Sequence, residues 1–304
     1  KYGQLSSYQY KKLDYYTRMG RWGDIIEESK KPSSNLLQAY YINIALMETN
    51  QLGKQFQKLD LKGVSGLIPI ENKELPSLLT LNELNFSLGD IAASQSFAFE
   101  SNIAISKTGS PRLYKRLVQT NLISKNHSVA EKYIKLLEQT HYYKEWATKH
   151  RRFLHNDKAV EEDPLLGKKR RGIPARNYFL GNTGLINSVQ HLAEADPANK
   201  AAIEYLASVY LYAKQINLFI EHINEYYNTD ELLLNLPEKF QEAIMIFSEN
   251  NPAEWDRYNI KPDIVEKYVI YKQMFLENQH KPNIAEIMNR SFGNTYWFYF
   301  MFYN

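Results

Sequence analysis

The sequence predicts an all-α fold, built as an α-solenoid of irregular helical hairpins. Apolar residues recur with a helical period along most of the 304 residues, and no alternating run is paired with a hairpin turn. Turn residues separate the periodic stretches at intervals near the repeat length of helical hairpins. Because one hairpin cannot bury its own apolar face, each needs neighbours on both sides, and the result is a stack.

The stretch 196–223 carries the clearest hairpin. Asp196 and Pro197 predict its start, since Asp is a good N-cap and Pro suits the first helical turn. A Leu-Ala-x-x-Tyr pattern matches the core of a tetratricopeptide (TPR) first helix, with Ala in place of Gly. A turn at 214–217 predicts a second helix that folds back on the first. The apolar face of the first helix consists of Ala202, Tyr205, Leu206, Val209, Tyr210 and Ala213.

The other elements follow in order along the chain. The turns are predicted at Gly20, Asn50, Gly89, Asn126 and Lys214, with spacings of 30, 39, 37 and 88 residues. These spacings bracket the TPR period of about 34 residues, and the last gap holds at least one further unit. The predicted helices run over 8–20, 21–31, 35–49, 52–59, 78–88, 91–105, 112–124, 128–138, 141–156, 184–195, 237–250, 262–279, 282–289 and 296–303, besides the hairpin at 196–223.

The chain is predicted to divide near its middle. Residues 157–176 contain two prolines, two glycines and a basic cluster, which together interrupt the helical pattern. We therefore predict N-terminal TPR-like hairpins over 1–156, an irregular linker or loop over 157–183, and C-terminal TPR-like repeats over 184–304. A further loop is predicted over 60–77, where glycines and prolines also break the pattern.

The strongest charge feature is the cluster of Lys168, Lys169, Arg170 and Arg171. Three acidic residues over 161–163 precede it and neutralise it within a few residues, so we expect a solvated loop. The alternative is contact of these four side chains with a phosphate group or an anionic lipid surface.

The composition and motifs exclude several kinds of site. A formal net charge of +3 is too small to predict a nucleic-acid partner, and the absence of cysteine excludes disulfides and thiolate chemistry. His150 and His155 lie roughly 140° apart on a helix, so they share no face and no metal site is predicted. No nucleophile motif or phosphate-binding glycine loop occurs. We therefore expect no cofactor, no catalytic residue and no enzyme activity.

Aromatic residues are frequent, with 23 tyrosines in the chain. Packing between helices is the expected role, because the ring is buried while the hydroxyl reaches water or a carbonyl. The C-terminal run YWFYFMFY over 296–303 is predicted as a core helix, with an exposed patch for a partner as the alternative. A different function class, a carbohydrate-binding or carbohydrate-processing module, would require exposed aromatic faces. The tryptophans that decide this alternative are Trp22, Trp146, Trp255 and Trp297.

Three runs resemble a known family: LGDIAASQSFAFESNIAI at 88–105, SPRLYKRLVQTNLI at 110–123 and VAEKYIKLLEQTHYYKEWA at 129–147. They resemble an uncharacterised family of Bacteroidota membrane proteins, and YYTRMGRWGDII at 15–26 is similar to the start of its soluble part. The resemblance implies that a multi-helix membrane portion precedes a TPR-like soluble portion, to which this chain corresponds. It implies a membrane-attached bacterial protein with its soluble part on the periplasmic side, and it carries over no catalytic residue. Because the chain has no initiating methionine, we expect the membrane anchor to lie upstream.

The expected function is a non-catalytic protein-interaction scaffold. Its concave surface would receive a protein or peptide partner, or the protein's own membrane portion, against the side chains of the first helices. Amide side chains in such positions hydrogen-bond to a peptide backbone without reading its sequence. The candidates for partner contact are Tyr40, Asn43, Asn82, Asn85, Gln119, Tyr205 and Tyr210.

Overall fold

The computed structural model describes residues 5–29, 36–55, 63–70, 74–105, 109–174, 184–229, 232 and 235–303. This part of the chain is all-α and contains no strand, which confirms the predicted all-α class. The helices are α1 (Leu5–Arg18), α2 (Trp22–Glu28), α3 (Leu36–Glu48), α4 (Leu52–Gln55), α5 (Val64–Leu67), α6 (Leu75–Leu88), α7 (Ile91–Ile105), α8 (Pro111–Ile123), α9 (His127–Glu138), α10 (Lys144–His150), α11 (Asp157–Glu162), α12 (Leu166–Arg171), α13 (Gly184–Ala195), α14 (Lys200–Tyr212), α15 (Ile216–Tyr226), α16 (Glu238–Phe247), α17 (Ala253–Arg257), α18 (Pro262–Asn278), α19 (Ile284–Phe292) and α20 (Tyr296–Phe302).

The predicted turns between helices share one backbone conformation. The first or second residue after the helix adopts a positive φ at Gly20, Asn50, Gly89 and Lys214, where turns were predicted, while the fourth predicted turn is centred on Lys125 rather than Asn126. In four of these turns the next amide N–H reaches back five residues to a helix carbonyl, as in Gln51 N to Leu46 O at 2.8 Å. This pattern satisfies carbonyl groups that the helix end would leave unpaired. Local chemistry therefore fixes where each helix ends. The backbone reversals occur at Gly20, Asn50, Lys125 and Lys214, with bonds Arg21 to Tyr16, Gln51 to Leu46, Asn126 to Asn121 and Gln215 to Tyr210.

The start of α14 differs from the prediction. Asn199 caps this helix, because its Oδ1 atom accepts a hydrogen bond of 3.2 Å from the N–H of Ala202. Asp196, the predicted cap, instead accepts from the N–H of Ala198 at 3.0 Å and holds the preceding turn. Both residues are good caps, and the one nearer the apolar run starts the helix.

Consecutive helices pack against each other, most clearly from α6 through α9. Helix α3 contacts α1, α2 and α6, so the N-terminal helices form a continuous layer. Helix α14 then packs on α3, α4, α5 and α6, although it lies more than a hundred residues further along the chain.

The main core draws on both predicted units. It contains residues from Leu13 to Phe298, including Tyr41, Tyr205 and Trp297, all almost completely buried. A second core lies under α8 and α9 and includes Leu122 and Ile134. Within the predicted linker 157–183, residues 157–174 form α11 and α12 with their connections, while 175–183 lie outside the described part. The division into two units stays a prediction.

A buried ionic network joins α1, α6 and α8. The guanidinium group of Arg112 donates to both carboxylate oxygens of Asp14, at 2.8 and 2.5 Å. Arg116 pairs with Glu83, and its guanidinium carbon lies 3.4 Å from the centre of the Phe86 ring. The bidentate pair of Arg112 and Asp14 fixes orientation as well as distance between α8 and α1, and the contact of Arg116 with Glu83 links α8 to α6.

The C-terminal run is mainly core, as expected. Tyr296, Trp297 and Phe298 are buried, whereas Met301 and Tyr303 are about half exposed. The run forms α20, which packs on α16 and α19. Its exposed edge borders one of the cavities described below.

Candidate functional site

Three of the predicted partner-contact residues lie close together, but the backbone that they contact belongs to this chain and not to a partner. The Nδ2 group of Asn43 on α3 donates to the carbonyl of Gly66 at 2.6 Å, and the hydroxyl of Tyr205 on α14 donates to the carbonyl of Leu67. The hydroxyl of Tyr40 interacts with the backbone of Ile70. Burial raises the pKa of Tyr205 well above its usual value. These side chains contact a peptide backbone, but it is the backbone of α5 and of the residues after it rather than that of a partner.

The other candidates lie mostly inside the helical layer. Asn82 accepts from the Ser94 hydroxyl at 3.0 Å, and Asn85 donates to the carbonyl of Leu81 at 2.8 Å. Gln119 accepts from Arg116 at 3.1 Å. All three side chains are buried and satisfy polar groups of their own chain, which buried amides must do to avoid a desolvation cost.

Tyr210 is the one candidate that is not buried. It is half-buried and packs edge-on against His222, with ring centres 5.9 Å apart. Six of the seven candidates therefore occupy the interior of this structure, and a surface for a partner has to be built from other residues.

The basic cluster separates into two structural and two exposed residues. Arg170 donates to the carbonyls of Leu122 and Ile123 at the end of α8, and also to the Asp157 carboxylate at 2.9 Å. A cation at this position satisfies terminal carbonyls and complements the negative end of the helix. Arg170 therefore caps α8, which sequence reasoning did not predict.

Lys169 is partly buried against the end of α6. Its Nζ atom donates to the carbonyl of Ser87 at 2.6 Å and lies 5.5 Å from the centre of the Phe86 ring. Burial lowers the pKa of Lys169 to about 8. Lys168 and Arg171 are exposed, so only these two face solvent for the predicted contact with an anion, which stays a prediction.

An open groove lies between α7, α8 and α9. Its volume is about 420 Å³. We call it the α7–α9 groove; it is lined by Ala92, Gln95, Ser96, Phe99, Leu117, Asn121, Val129 and Tyr133. Phe99 and Val129 are about half exposed, and Ile103, one turn beyond Phe99 on α7, is 65% exposed. Large apolar side chains are therefore arranged along one accessible channel, which is the usual character of an interaction site.

The floor of this groove carries two amide side chains. Gln95 donates to the Oδ1 atom of Asn121 at 3.3 Å, and Asn121 donates to the carbonyl of Leu117 at 2.7 Å. The signal for the groove in the sequence is the run of small residues on α7, among them Ala92 and Ser96. These leave room beside the larger Phe99.

A second, smaller cavity lies between α16, α18 and α20. We call it the aromatic pocket; its volume is about 150 Å³, and it is lined by Ile246, Glu249, Tyr268, Tyr271, Lys272, Phe275, Trp297, Phe300 and Met301. The ring centres of Tyr268 and Trp297 lie 4.9 Å apart, and those of Tyr271 and Trp297 lie 5.6 Å apart. Burial and the nearby Glu249 carboxylate raise the pKa of Tyr268 and Tyr271.

The tryptophans do not form an exposed row. Trp297 is buried, and Trp22, Trp146 and Trp255 are half-buried. Trp146 stacks on His150, with ring centres 3.6 Å apart. The carbohydrate alternative stays a prediction, and none of the four tryptophans presents a fully exposed face to a sugar.

The described ranges contain neither a cluster of metal ligands nor a membrane-spanning helix. No group of three His, Asp or Glu side chains there is arranged to hold a metal ion. The Nδ1 atom of His150 instead donates to the carbonyl of Trp146, 2.7 Å away, and burial lowers the pKa of this histidine. Among the same residues, no helix has both the length and the apolar character needed to cross a bilayer.

Comparison with known proteins gives a family and no activity. No curated protein and no solved structure shows significant similarity to the chain. One family, described as a family of unknown function (DUF6057), matches residues 4–303. Because this match covers nearly the whole sequence, the chain belongs to the DUF6057 family of unknown function.

Proposed function

We propose that this chain is a non-catalytic protein-interaction scaffold, and that its α7–α9 groove receives an amphipathic helix of a partner. The observation that carries the proposal is the apolar channel formed by Phe99, Leu117, Val129 and Tyr133 on three successive helices. A helix laid in such a channel buries its apolar face through residues at i, i+3, i+4 and i+7.

The groove offers more than apolar area. Gln95 is half-buried at its floor, where Asn121 accepts a hydrogen bond of 3.3 Å from it, and the amide of Gln95 can pair with a polar side chain of the partner. Lys132 is exposed at the edge, with its Nζ atom 6.0 Å from the centre of the Tyr133 ring. A partner helix with acidic residues beside its apolar face therefore fits this edge.

The scaffold itself is proposed to be an irregular TPR-like α-solenoid. The repeated helix–turn–helix units with positive-φ turns support this arrangement, as does the side-by-side packing of α6, α7, α8 and α9. Attachment to a bacterial membrane through an upstream portion, with the scaffold on the periplasmic side, is part of the same proposal. It rests on the resemblance of residues 88–147 given above. The partner is then another protein or the membrane portion of the same polypeptide.

The test is site-specific photo-crosslinking of the full-length protein in its native cells. A photoreactive residue at position 99 is expected to form a reproducible adduct, and mass spectrometry should assign it to a segment with helical amphipathic spacing. A photoreactive residue at Leu218, which is 44% exposed on α15, serves as the matched control and should form no such adduct.

A second variant makes the result decisive. Val129→Glu places a charge in the groove at a site that is already 43% exposed, so the fold should be retained and the adduct at position 99 should disappear. An adduct that persists in Val129→Glu, or that forms equally at position 218, would contradict the groove as the binding site.

A further inference from the structure

The aromatic pocket has the size of a single apolar side chain. Its volume of about 150 Å³ equals that of an engineered protein cavity that binds benzene. Trp297 and Tyr271 form part of its wall and are at most 4% exposed, so these two rings are shielded from water. An aromatic or large aliphatic group that enters is removed from water on most sides, which is favourable by the area that it buries.

The mouth of the pocket carries one charge of each sign. Glu249 and Lys272 form an ion pair there, and their side chains are 40% and 37% exposed. Met301 lies at the same edge and is 50% exposed. A ligand with an apolar group inside the pocket thus meets a carboxylate and an ammonium group side by side as it reaches solvent.

Separating Glu249 from Lys272 costs little free energy. Half-exposed pairs between flexible side chains contribute little stability, since water and salt screen them. A ligand that brings its own ammonium and carboxylate groups replaces one pair by two, and no charge is left without a partner.

We propose that the aromatic pocket binds a free amino acid with an aromatic or large aliphatic side chain. The side chain occupies the cavity, the α-ammonium group pairs with Glu249, and the α-carboxylate pairs with Lys272. This gives the chain a small-molecule site in addition to its proposed interaction groove, from which it is independent.

Isothermal titration of the purified chain with L-phenylalanine tests the proposal, with the change in tryptophan fluorescence, to which Trp297 contributes, as a second readout. Saturable binding is expected. Phenethylamine lacks the carboxylate and 3-phenylpropionate lacks the ammonium group, so each should bind about tenfold more weakly, the loss of one charge-assisted contact. Glycine lacks the side chain and should not bind measurably.

Variants at the mouth assign each charge. In Glu249→Gln, L-phenylalanine and 3-phenylpropionate should bind with equal affinity, because the ammonium group has lost its partner. In Lys272→Gln, L-phenylalanine and phenethylamine should become equal. Glu286→Gln is the matched control, since Glu286 belongs to another exposed pair, with Arg290 at 2.7 Å. It should bind like the unaltered chain.

Two results would overturn the proposal. One is the absence of saturable binding by L-phenylalanine at millimolar concentration. The other is equal affinity of the unaltered chain for L-phenylalanine and both singly charged analogues. That result would mean that Glu249 and Lys272 do not pair with the charged groups of the ligand.

Discussion

Removing one member of the buried pair of Lys239 and Glu242 should destabilise the C-terminal helices strongly. These side chains on α16 are 0% and 1% exposed, and the Nζ atom of Lys239 lies 2.9 and 3.0 Å from the two carboxylate oxygens of Glu242. The same Nζ donates to the carbonyl of Asn294, while the N–H of Tyr296 donates to Glu242 at 2.6 Å. The pair therefore holds the start of α20 against α16.

The expected loss of stability depends on which buried group each substitution leaves without a partner. Lys239→Met leaves a buried carboxylate without its cation, and breaking a buried pair in this way costs about 3–5 kcal/mol of unfolding free energy. Glu242→Gln keeps an acceptor for Tyr296, and Glu238, whose carboxylate lies 3.7 Å from Lys239, supplies a partial counter-ion. We expect that variant to lose about 1–3 kcal/mol. The double variant Lys239→Met/Glu242→Gln should be more stable than Lys239→Met alone, because no buried charge remains.

The pH dependence gives an independent check. Burial raises the pKa of Glu242 above its usual value, although Lys239 and the Tyr296 N–H oppose this shift. The folded state therefore holds a proton on Glu242 over a range of pH in which the unfolded state has lost it, so this group's contribution to stability falls as pH rises through that range.

Lys239→Met removes the cation that lowers the pKa of Glu242, so the pKa of Glu242 should rise further. The loss of stability in Lys239→Met should accordingly be smaller at pH 5 than at pH 8, measured by urea unfolding against the unaltered chain. An equal loss at both pH values, or additivity of the two single substitutions, would refute the reasoning.

Two further substitutions test local features of the fold. Gly89→Ala should cost about 1–2 kcal/mol, because Gly89 has a φ of 101° that L-residues rarely adopt, and urea unfolding should show the loss, whereas an unchanged midpoint would contradict it. Arg170→Met should cost about 2 kcal/mol through the lost cap of α8, and hydrogen exchange should become faster at the C-terminal turn of α8. Faster exchange there in Lys168→Met, the exposed neighbour, would show that the effect is not due to the cap.

The sequence predicted the features that depend on near neighbours. Turns at Gly20 and Asn50 follow from residues that tolerate a left-handed backbone next to an apolar helix, and the turn at Lys214 follows from its place between two apolar helical runs. The all-α class follows from the period of the apolar residues. By contrast, Tyr40 and Asn43 lie on α3, which packs against both α5 and the distant α14, and no local pattern reports these contacts.

The basic cluster shows the same limit. Its acidic neighbours over 161–163 suggested a solvated loop, because they lie close in sequence. The partners that decide the structure are distant: Lys169 contacts Ser87, 82 residues away, and Arg170 contacts Leu122, 48 residues away. The α7–α9 groove escaped detection for a related reason, since exposed Phe99 and buried Ala98 are adjacent in an apolar helix whose sequence does not distinguish its faces.

The two proposed sites can be separated by one variant, because only one of them depends on the Lys239 anchor. Helix α20 provides Trp297, Phe300 and Met301 to the aromatic pocket, and the pair of Lys239 and Glu242 holds the first turn of that helix. The α7–α9 groove is formed by helices that pack with one another and draw no residue from α16 or α20. Lys239→Met, studied below its unfolding temperature, should therefore weaken binding of L-phenylalanine and leave the crosslink at position 99 unchanged. A parallel loss of both would show that the two surfaces are coupled through the shared core.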